Sequence, residues 1–420
     1  GQSKTIITAK TSGGFIGYAP PTLNFWGINN VNFQNLKIQN TGEGNAFTGY
    51  DINNISFTSC KVKTPNAVTG LRGMGISLNN STNIKVHNCH FRIGEGYSSA
   101  IRLRAGTKNA KIINNVINNW GNAGVSAKNV SNLLIKSNKF NDTIGNGFGE
   151  IGILVNPRRN ANNIKIRKNT ITVVQDIGIE VENFNNVSIS QNTVNNWVNT
   201  GIKLEHCNKV AIDTNQLAIN GYPITNARGI IFSNGKDIRL LDNIVDSATG
   251  VGLGLVNAQN VNIKRNVFKR IHGIGVNLKN NSDVRFQNNM VSHFGSTSAF
   301  KGGLITDMQL YHNSFYSKSG NYVFDFKSAQ NLTVWNNNLK GGKKVQIIED
   351  SRSNVNYNAN NYDYPNLLYQ SGQKQYITLD VWEAAQPQQN SIAWSKNAHY
   401  QTQANLHLLP NKPFVRGFNL

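Results

Sequence analysis

The chain has 420 residues, 39% of them hydrophobic, which is enough for a continuous core and excludes wholesale disorder. Lys and Arg number 42 against 21 Asp and Glu, a net charge of +21, yet charged residues make up only 15% of the chain. Few charges with a strong positive bias point to a polyanionic partner, nucleic acid or an acidic polysaccharide, and no apolar run approaches the ~18 residues of a membrane helix.

From the N-terminus, which has neither a basic leader nor an apolar leader core, the chain reads as soluble and already processed. Its first coils begin almost at residue 5, so an N-terminal cap is expected to be short or missing. An Asn followed by an apolar/x/apolar alternation then recurs, with its first apolar residue at Val31, Ile55, Ile84, Ala110, Leu133, Ile164, Val187, Val210, Ile238, Val261, Val284, Met308, Leu332 and Val355. Most spacings are 23 or 24 residues. Five residues after the anchor an asparagine returns in succession at 115, 138, 169, 192, 215, 243, 266, 289, 313 and 337. A column of that kind predicts an inward ladder of amides, each bonded to the turns above and below. Cys60 and Cys89 fill the same slot earlier. They read as stacked core thiols, with a disulfide permitted because stacked positions lie ~4.8 Å apart.

Nine residues before many anchors stands a Gly-apolar strand, as at Gly75, Gly124, Gly178, Gly201, Gly229 and Gly275, and a third apolar position follows the asparagine, as at Phe140, Ile171, Val194, Phe268 and Phe315. Three short strands per repeat with no helical periodicity predict an all-β, single-domain right-handed parallel β-helix of ~14 coils over residues 1–357. The rhythm stops near Tyr357, leaving residues 358–420 as a C-terminal cap. Insertions fall mainly before the Gly-apolar strand, over 64–74, 93–99, 142–150 and 219–228, and long loops on one edge of a solenoid wall a binding groove.

Alternation along that strand points Ser77 and Asn79, Arg102 and Arg104, Ser126 and Lys128, Leu154 and Asn156, Glu180 and Glu182, and Lys203 and Glu205 outward. Glu180, Glu182 and Glu205 are thereby expected within ~5 to 7 Å of one another, beside Lys203 and His206. The candidate catalytic residues are Glu180, Glu182, Lys203, Glu205 and His206. Arg102, Arg104, Lys128, Arg158, Arg159, Tyr97 and Tyr222 are the candidate substrate-binding residues, the tyrosines as platforms for sugar rings. Trp120 and Trp197 read as packing residues, and the scattered histidines 87, 90, 272 and 293 as surface or packing residues.

The tail, Tyr376 to Trp382, Gln389 to Ile392, Leu406 to Leu408 and Pro413 to Gly417, resembles the C-terminal segment of bacterial β-helix proteins of the pectate-lyase-like superfamily. That superfamily holds polysaccharide lyases, hydrolases, uronate epimerases and non-catalytic binding proteins, and fold alone does not choose among them. A Glu-x-Glu strand with an Asn on the preceding coil is similar to the calcium site of the alginate-lyase and chondroitinase B family, which implies Asn156, Glu180 and Glu182 as Ca²⁺ ligands. The lysine that family carries shortly after the acidic pair is absent from Phe184 to Ser188. The polygalacturonase motifs and the epimerase Asp-Pro-His are absent too. The leading expectation is an extracellular or periplasmic depolymerase of an anionic, uronate-containing polysaccharide, of the kind used on biofilm-matrix polymers, cleaving by β-elimination. A glycoside hydrolase using the Glu pair and a non-catalytic polysaccharide-binding matrix protein are the alternatives. Nucleic acid ranks last because the basic residues have no aromatic interleave.

Overall fold

The computed structural model describes residues 6–9, 22–40, 44–64, 73–94, 98–142, 150–156, 161–220, 224–344, 346–350, 352–358, 360–363, 368–371, 374–376, 392–393, 400–402 and 405–408. Every regular element among them is a β-strand, and the repeats wind as a right-handed parallel β-solenoid of about 13 turns. The chain divides into two compact units, Gly1–Ala211 and Ile212–Leu420.

In the first unit each turn carries three strands, for example Ser99–Arg104, Lys108–Ile113 and Val116–Asn118. Each pairs in parallel with its counterpart one turn on: Ile101 with Val125, Ala110 with Leu133, Ile117 with Phe140. The alternation in the sequence is the cause. On the second strand the residues one face apart, Ala110 and Ile112, are fully buried while Lys111 is exposed. The first strand runs so close to the core that a side chain would not fit at its glycine. A Cβ on Gly178 would stand 2.5 Å from the Gly201 carbonyl oxygen and from Val194 Cγ1.

The amide ladder is present. Asn115 Nδ2 donates to Asn138 Oδ1 at 2.9 Å, Asn138 to Asn169 at 3.0 Å and Asn169 to Asn192 at 2.9 Å, and each also donates to a carbonyl of the preceding turn. Because both groups of each buried amide are bonded, the column stabilises the stack instead of costing desolvation. Cys60 and Cys89 cap it as buried free thiols, with the Cys89 backbone N–H donating to Asn115 Oδ1. Cys207 is also free and buried.

The asparagine that precedes most anchors in the first unit forms a second, outer ladder. Asn54, Asn83, Asn109, Asn132, Asn163 and Asn186 all have φ between +54° and +63°, a left-handed conformation that Asn tolerates better than most residues. Their exposed amides bond turn to turn, as from Asn132 to Asn109 at 3.0 Å and Asn163 to Asn132 at 2.8 Å. That corner is why an asparagine announces most repeats, with Asp237, Asp283, Asp307 and Lys209 holding the same left-handed position in the others. Trp120 and Trp197 are buried packing residues.

In the second unit the first two strands fuse into 14-residue strands, Arg228–Leu241, Val251–Lys264, Ile274–Gln287 and Ser298–Tyr311. The inner ladder runs from Asn215 through Asn243, Asn266, Asn289, Asn313 and Asn337 to Asn360. Past Tyr357 parallel pairing continues, with Asn361–Tyr362 against Ile392–Ala393 and Ile347–Glu349 against Tyr369–Ser371.

Candidate functional site

The strands Ile177–Glu182 and Thr200–Glu205 build the centre of the candidate site. Ile179, Val181, Ile202 and Leu204 are fully buried, so the alternation turns Glu180, Glu182, Lys203 and Glu205 to the outer face. The register is the expected one: Glu180 opposes Lys203 and Glu182 opposes Glu205. Upstream, the same outer columns run through Ser77, Arg102, Ser126 and Leu154 to Glu180, and Asn79 stands opposite Arg104.

Lys203 is the hub. Its Nζ donates to Glu180 Oε1 at 2.7 Å and stands 3.7 Å from Glu182 Oε1 and 3.8 Å from Glu205 Oε2. Asn156 Nδ2 donates to Glu182 Oε2 at 2.6 Å, and His206 Nδ1 lies 3.8 Å from Glu205 Oε1. Exposure grades across the cluster: the Glu180 side chain is 8% exposed, Glu182 21% and Glu205 34%. Burial pushes the Glu180 carboxyl up, against the hydrogen bond and charge of Lys203, and the neighbouring Glu182 raises it further. For Lys203 burial is the largest single influence and acts downward, but the Glu180 hydrogen bond and the three carboxylate charges together hold the ammonium above its ordinary range. Lys203 is therefore a fixed cation here and not a free amine.

In this arrangement the three residues of the calcium set implied by the sequence are engaged with protein groups. The carboxylates of Glu180 and Glu182 are gathered on an ammonium, and Asn156 presents its N–H, not its carbonyl oxygen, to Glu182. Among the described residues no group of three or more His, Cys, Asp or Glu side chains is placed to hold a metal ion.

Arg102, Arg104 and Lys128 line a concavity of about 190 Å³ with Met74, Ser99, Asn122 and Ser126. Arg102 is three strands from Glu180 in one column, a distance of roughly 14 Å at the ~4.8 Å strand spacing. The sequence reading missed Met74, Ser99 and Asn122. Asn122, which also donates to Glu150, immediately precedes the strand Ala123–Ala127, and that position is the signal that marks it. Leu154, read as outward, is 8% exposed and packs with Ala123, Ile151 and Ile177, so it roofs the column between the arginines and Glu180. Tyr97, Arg158, Arg159 and Tyr222 lie outside the described residues, as do most of the inserted loops.

Outward polar columns on stacked parallel turns define the class, and the chain belongs to the right-handed β-helix family, whose model matches residues 22–150 and 151–305. Among solved structures it is similar to the A-module of the mannuronan C-5 epimerase AlgE6 of Azotobacter vinelandii, at 9% identity, 82% of this chain, 91% of that chain and a TM-score of 0.52. It is also similar to the periplasmic alginate epimerase AlgG in a double-mutant form, at 11% identity, 87% and 77% coverage and a TM-score of 0.42. A third is the Streptococcus pneumoniae surface protein and adhesin PfbA, at 12% identity, 77% and 91% coverage and a TM-score of 0.40. No curated protein matches the chain in sequence. No helix among the described residues is long and apolar enough to cross a membrane.

Proposed function

We propose that the protein is a polysaccharide-active β-helix enzyme that binds an acidic glycan through Arg102, Arg104 and Lys128 and hydrolyses it at Glu182 and Glu205. The observation that carries this reading is the sign of the cluster: three carboxylates surround one ammonium. β-Elimination builds negative charge next to the sugar carboxylate and asks the site for a neutralising cation and a base. Lys203 is already engaged by three carboxylates and is held protonated, so it serves neither need. Glycoside hydrolysis passes through an oxocarbenium-like, positively charged transition state, which a net-negative cluster stabilises.

Glu182 and Glu205 are paired across adjacent strands, and an oxygen of each stands 3.7 and 3.8 Å from the one Lys203 ammonium, an arrangement that accommodates the ~5–5.5 Å carboxyl separation of retaining glycosidases. Glu182, oriented by Asn156, is the nucleophile. Glu205, the more exposed of the pair and flanked by His206, first protonates the leaving oxygen and then takes the proton from water. Lys203 holds both carboxylates in place. The mannuronan epimerase among the fold neighbours accords with an acidic polysaccharide as the substrate class. A polymer of that kind places the protein in the periplasm or outside the cell.

The test is digestion of a panel of acidic polysaccharides with and without a chelator, following reducing ends, the anomeric configuration of the first product and the ultraviolet absorbance of unsaturated uronates. Reducing ends of retained configuration without unsaturated product, unaffected by chelation, are expected. Unsaturated product would restore elimination. A requirement for added Ca²⁺ would restore the metal set of Asn156, Glu180 and Glu182. Binding without cleavage of any polymer would leave the matrix-protein alternative.

A further inference from the structure

The second unit has a cationic hollow of its own. On the strands Ile274–Gln287, Ser298–Tyr311 and Tyr322–Lys327, Lys279 opposes Gly303, which opposes Lys327. Lys301, Leu304 and Arg352 join these three around a concavity of about 460 Å³. Two of the four cations have carboxylate partners: Lys301 Nζ is 3.9 Å from Asp325 Oδ2, and Arg352 is bonded to Asp350. Among the described residues no carboxylate lies within ion-pair distance of Lys279 or Lys327.

Two features shape the hollow. Gly303 leaves a notch between the lysines, for a Cβ built there meets nothing within 4 Å, and the lysine strands are roughly 10 Å apart, two strand spacings. Leu304 beside it is 55% exposed at a φ of +53°, a conformation that disfavours a bulky side chain. An exposed apolar residue held at that cost, between two lysines and over an open notch, is what a ring with one apolar face and one anionic edge would use.

We propose that this hollow is a second glycan seat, taking one acidic sugar unit of a polysaccharide, with the ring over Gly303, its C–H face on Leu304 and its carboxylate or sulfate between Lys279 and Lys327. It rests on the reading that the protein's ligand is an acidic polysaccharide. A single-stranded nucleic acid suits the hollow less, because its lining has no aromatic side chain on which a base stacks.

The full chain is titrated calorimetrically with tetrasaccharides of mannuronate and of a sulfated galactan, with neutral mannan tetrasaccharide and a dT hexanucleotide alongside. Two acidic tetrasaccharides per chain are expected for the unaltered protein. Gly303→Phe fills the notch while keeping every cation, and it is expected to weaken one of the two sites at least tenfold. Lys279→Gln with Lys327→Gln does the same by removing charge, and serves if the phenylalanine disturbs the fold in a thermal melt. The Arg102→Ala and Arg104→Ala pair removes the other site. Binding lost with the lysines but untouched by Gly303→Phe would mean diffuse attraction and overturn the seat, as would a single site insensitive to both changes. Equal binding of neutral mannan, or tighter binding of the oligonucleotide, would overturn it too. Loss of one site with Gly303→Phe and none with the arginine pair would keep the seat and overturn the first unit's binding cleft instead.

Discussion

Replacing Lys203 with Met removes the one cation that three carboxylates share, and the consequence follows from their burial. Glu180 is only 8% exposed on its side chain and takes its shortest hydrogen bond, 2.7 Å, from Lys203. Breaking a fully buried pair by deleting one partner costs ~3–5 kcal/mol. The Lys203 side chain is 30% exposed, so water screens part of that, and a loss of about 2 kcal/mol at neutral pH is expected. For a unit of this size that is a fall in melting temperature of about 4–8 °C. The pH dependence gives the mechanism away. Without Lys203, burial and Glu182 hold the Glu180 carboxyl above its ordinary range with nothing opposing them. A raised native pKa contributes stability that is present below the unfolded value and lost as pH rises, so the variant approaches the unaltered protein near pH 4 and falls away toward pH 7. Glu180→Gln in the same chain restores the neutral-pH melt. Thermal melts of the three proteins at the two pH values decide it. An unchanged neutral-pH melt for Lys203→Met would show that Glu180 does not depend on the ammonium and would refute the electrostatic account of the cluster.

Asn266→Ala interrupts the inner ladder, leaving the Asn243 amide and the Leu240 carbonyl without their partner; urea unfolding should show a loss of about 3 kcal/mol or more, and a near-neutral result would deny the ladder its role. Glu349, buried and accepting hydrogen bonds from Tyr357 and Tyr369, is pushed by burial from 4.5 to about 7. Its contribution is full below pH 4.5 and is lost as pH rises to about 7, a fall of about 3 kcal/mol that Glu349→Gln should flatten in melts across that range. Acidic-glycan binding should weaken steeply between ~50 and ~500 mM salt because the attraction of the chain's excess positive charge for a polyanion is screened, and Arg102→Ala with Arg104→Ala should weaken it and reduce that salt dependence.

The fold was legible because its information is periodic. Each anchor, such as Ile164 or Val261, repeats an alternation that leaves one way to bury both rows, and the asparagine column marks the stacking register. The same alternation sets Glu180 against Lys203 and Glu182 against Glu205. What it did not carry was the direction taken by long side chains at the surface. That one ammonium gathers both Glu180 and Glu182 depends on how the Lys203 side chain reaches along the face and on how Asn156 turns its amide, and neither is encoded in a period of two. Leu154 shows the same limit: alternation sends it outward, but neighbours from adjacent turns cover it. The outer asparagine ladder was visible as a motif but not as a cause, since a positive φ leaves no mark on hydrophobic periodicity.

The central claim, that the carboxylates around Lys203 perform chemistry on an acidic polysaccharide, is tested most directly by the specific activity of Glu182→Gln beside its thermal melt. Glu182 is partly exposed, and glutamine keeps an oxygen to accept from Asn156, so stability should change by less than ~0.5 kcal/mol. Turnover of the preferred polysaccharide should fall by two or more orders of magnitude, the scale of a positioned catalytic group. Unchanged turnover in a well-folded Glu182→Gln protein would contradict the claim and take this cluster out of the reaction.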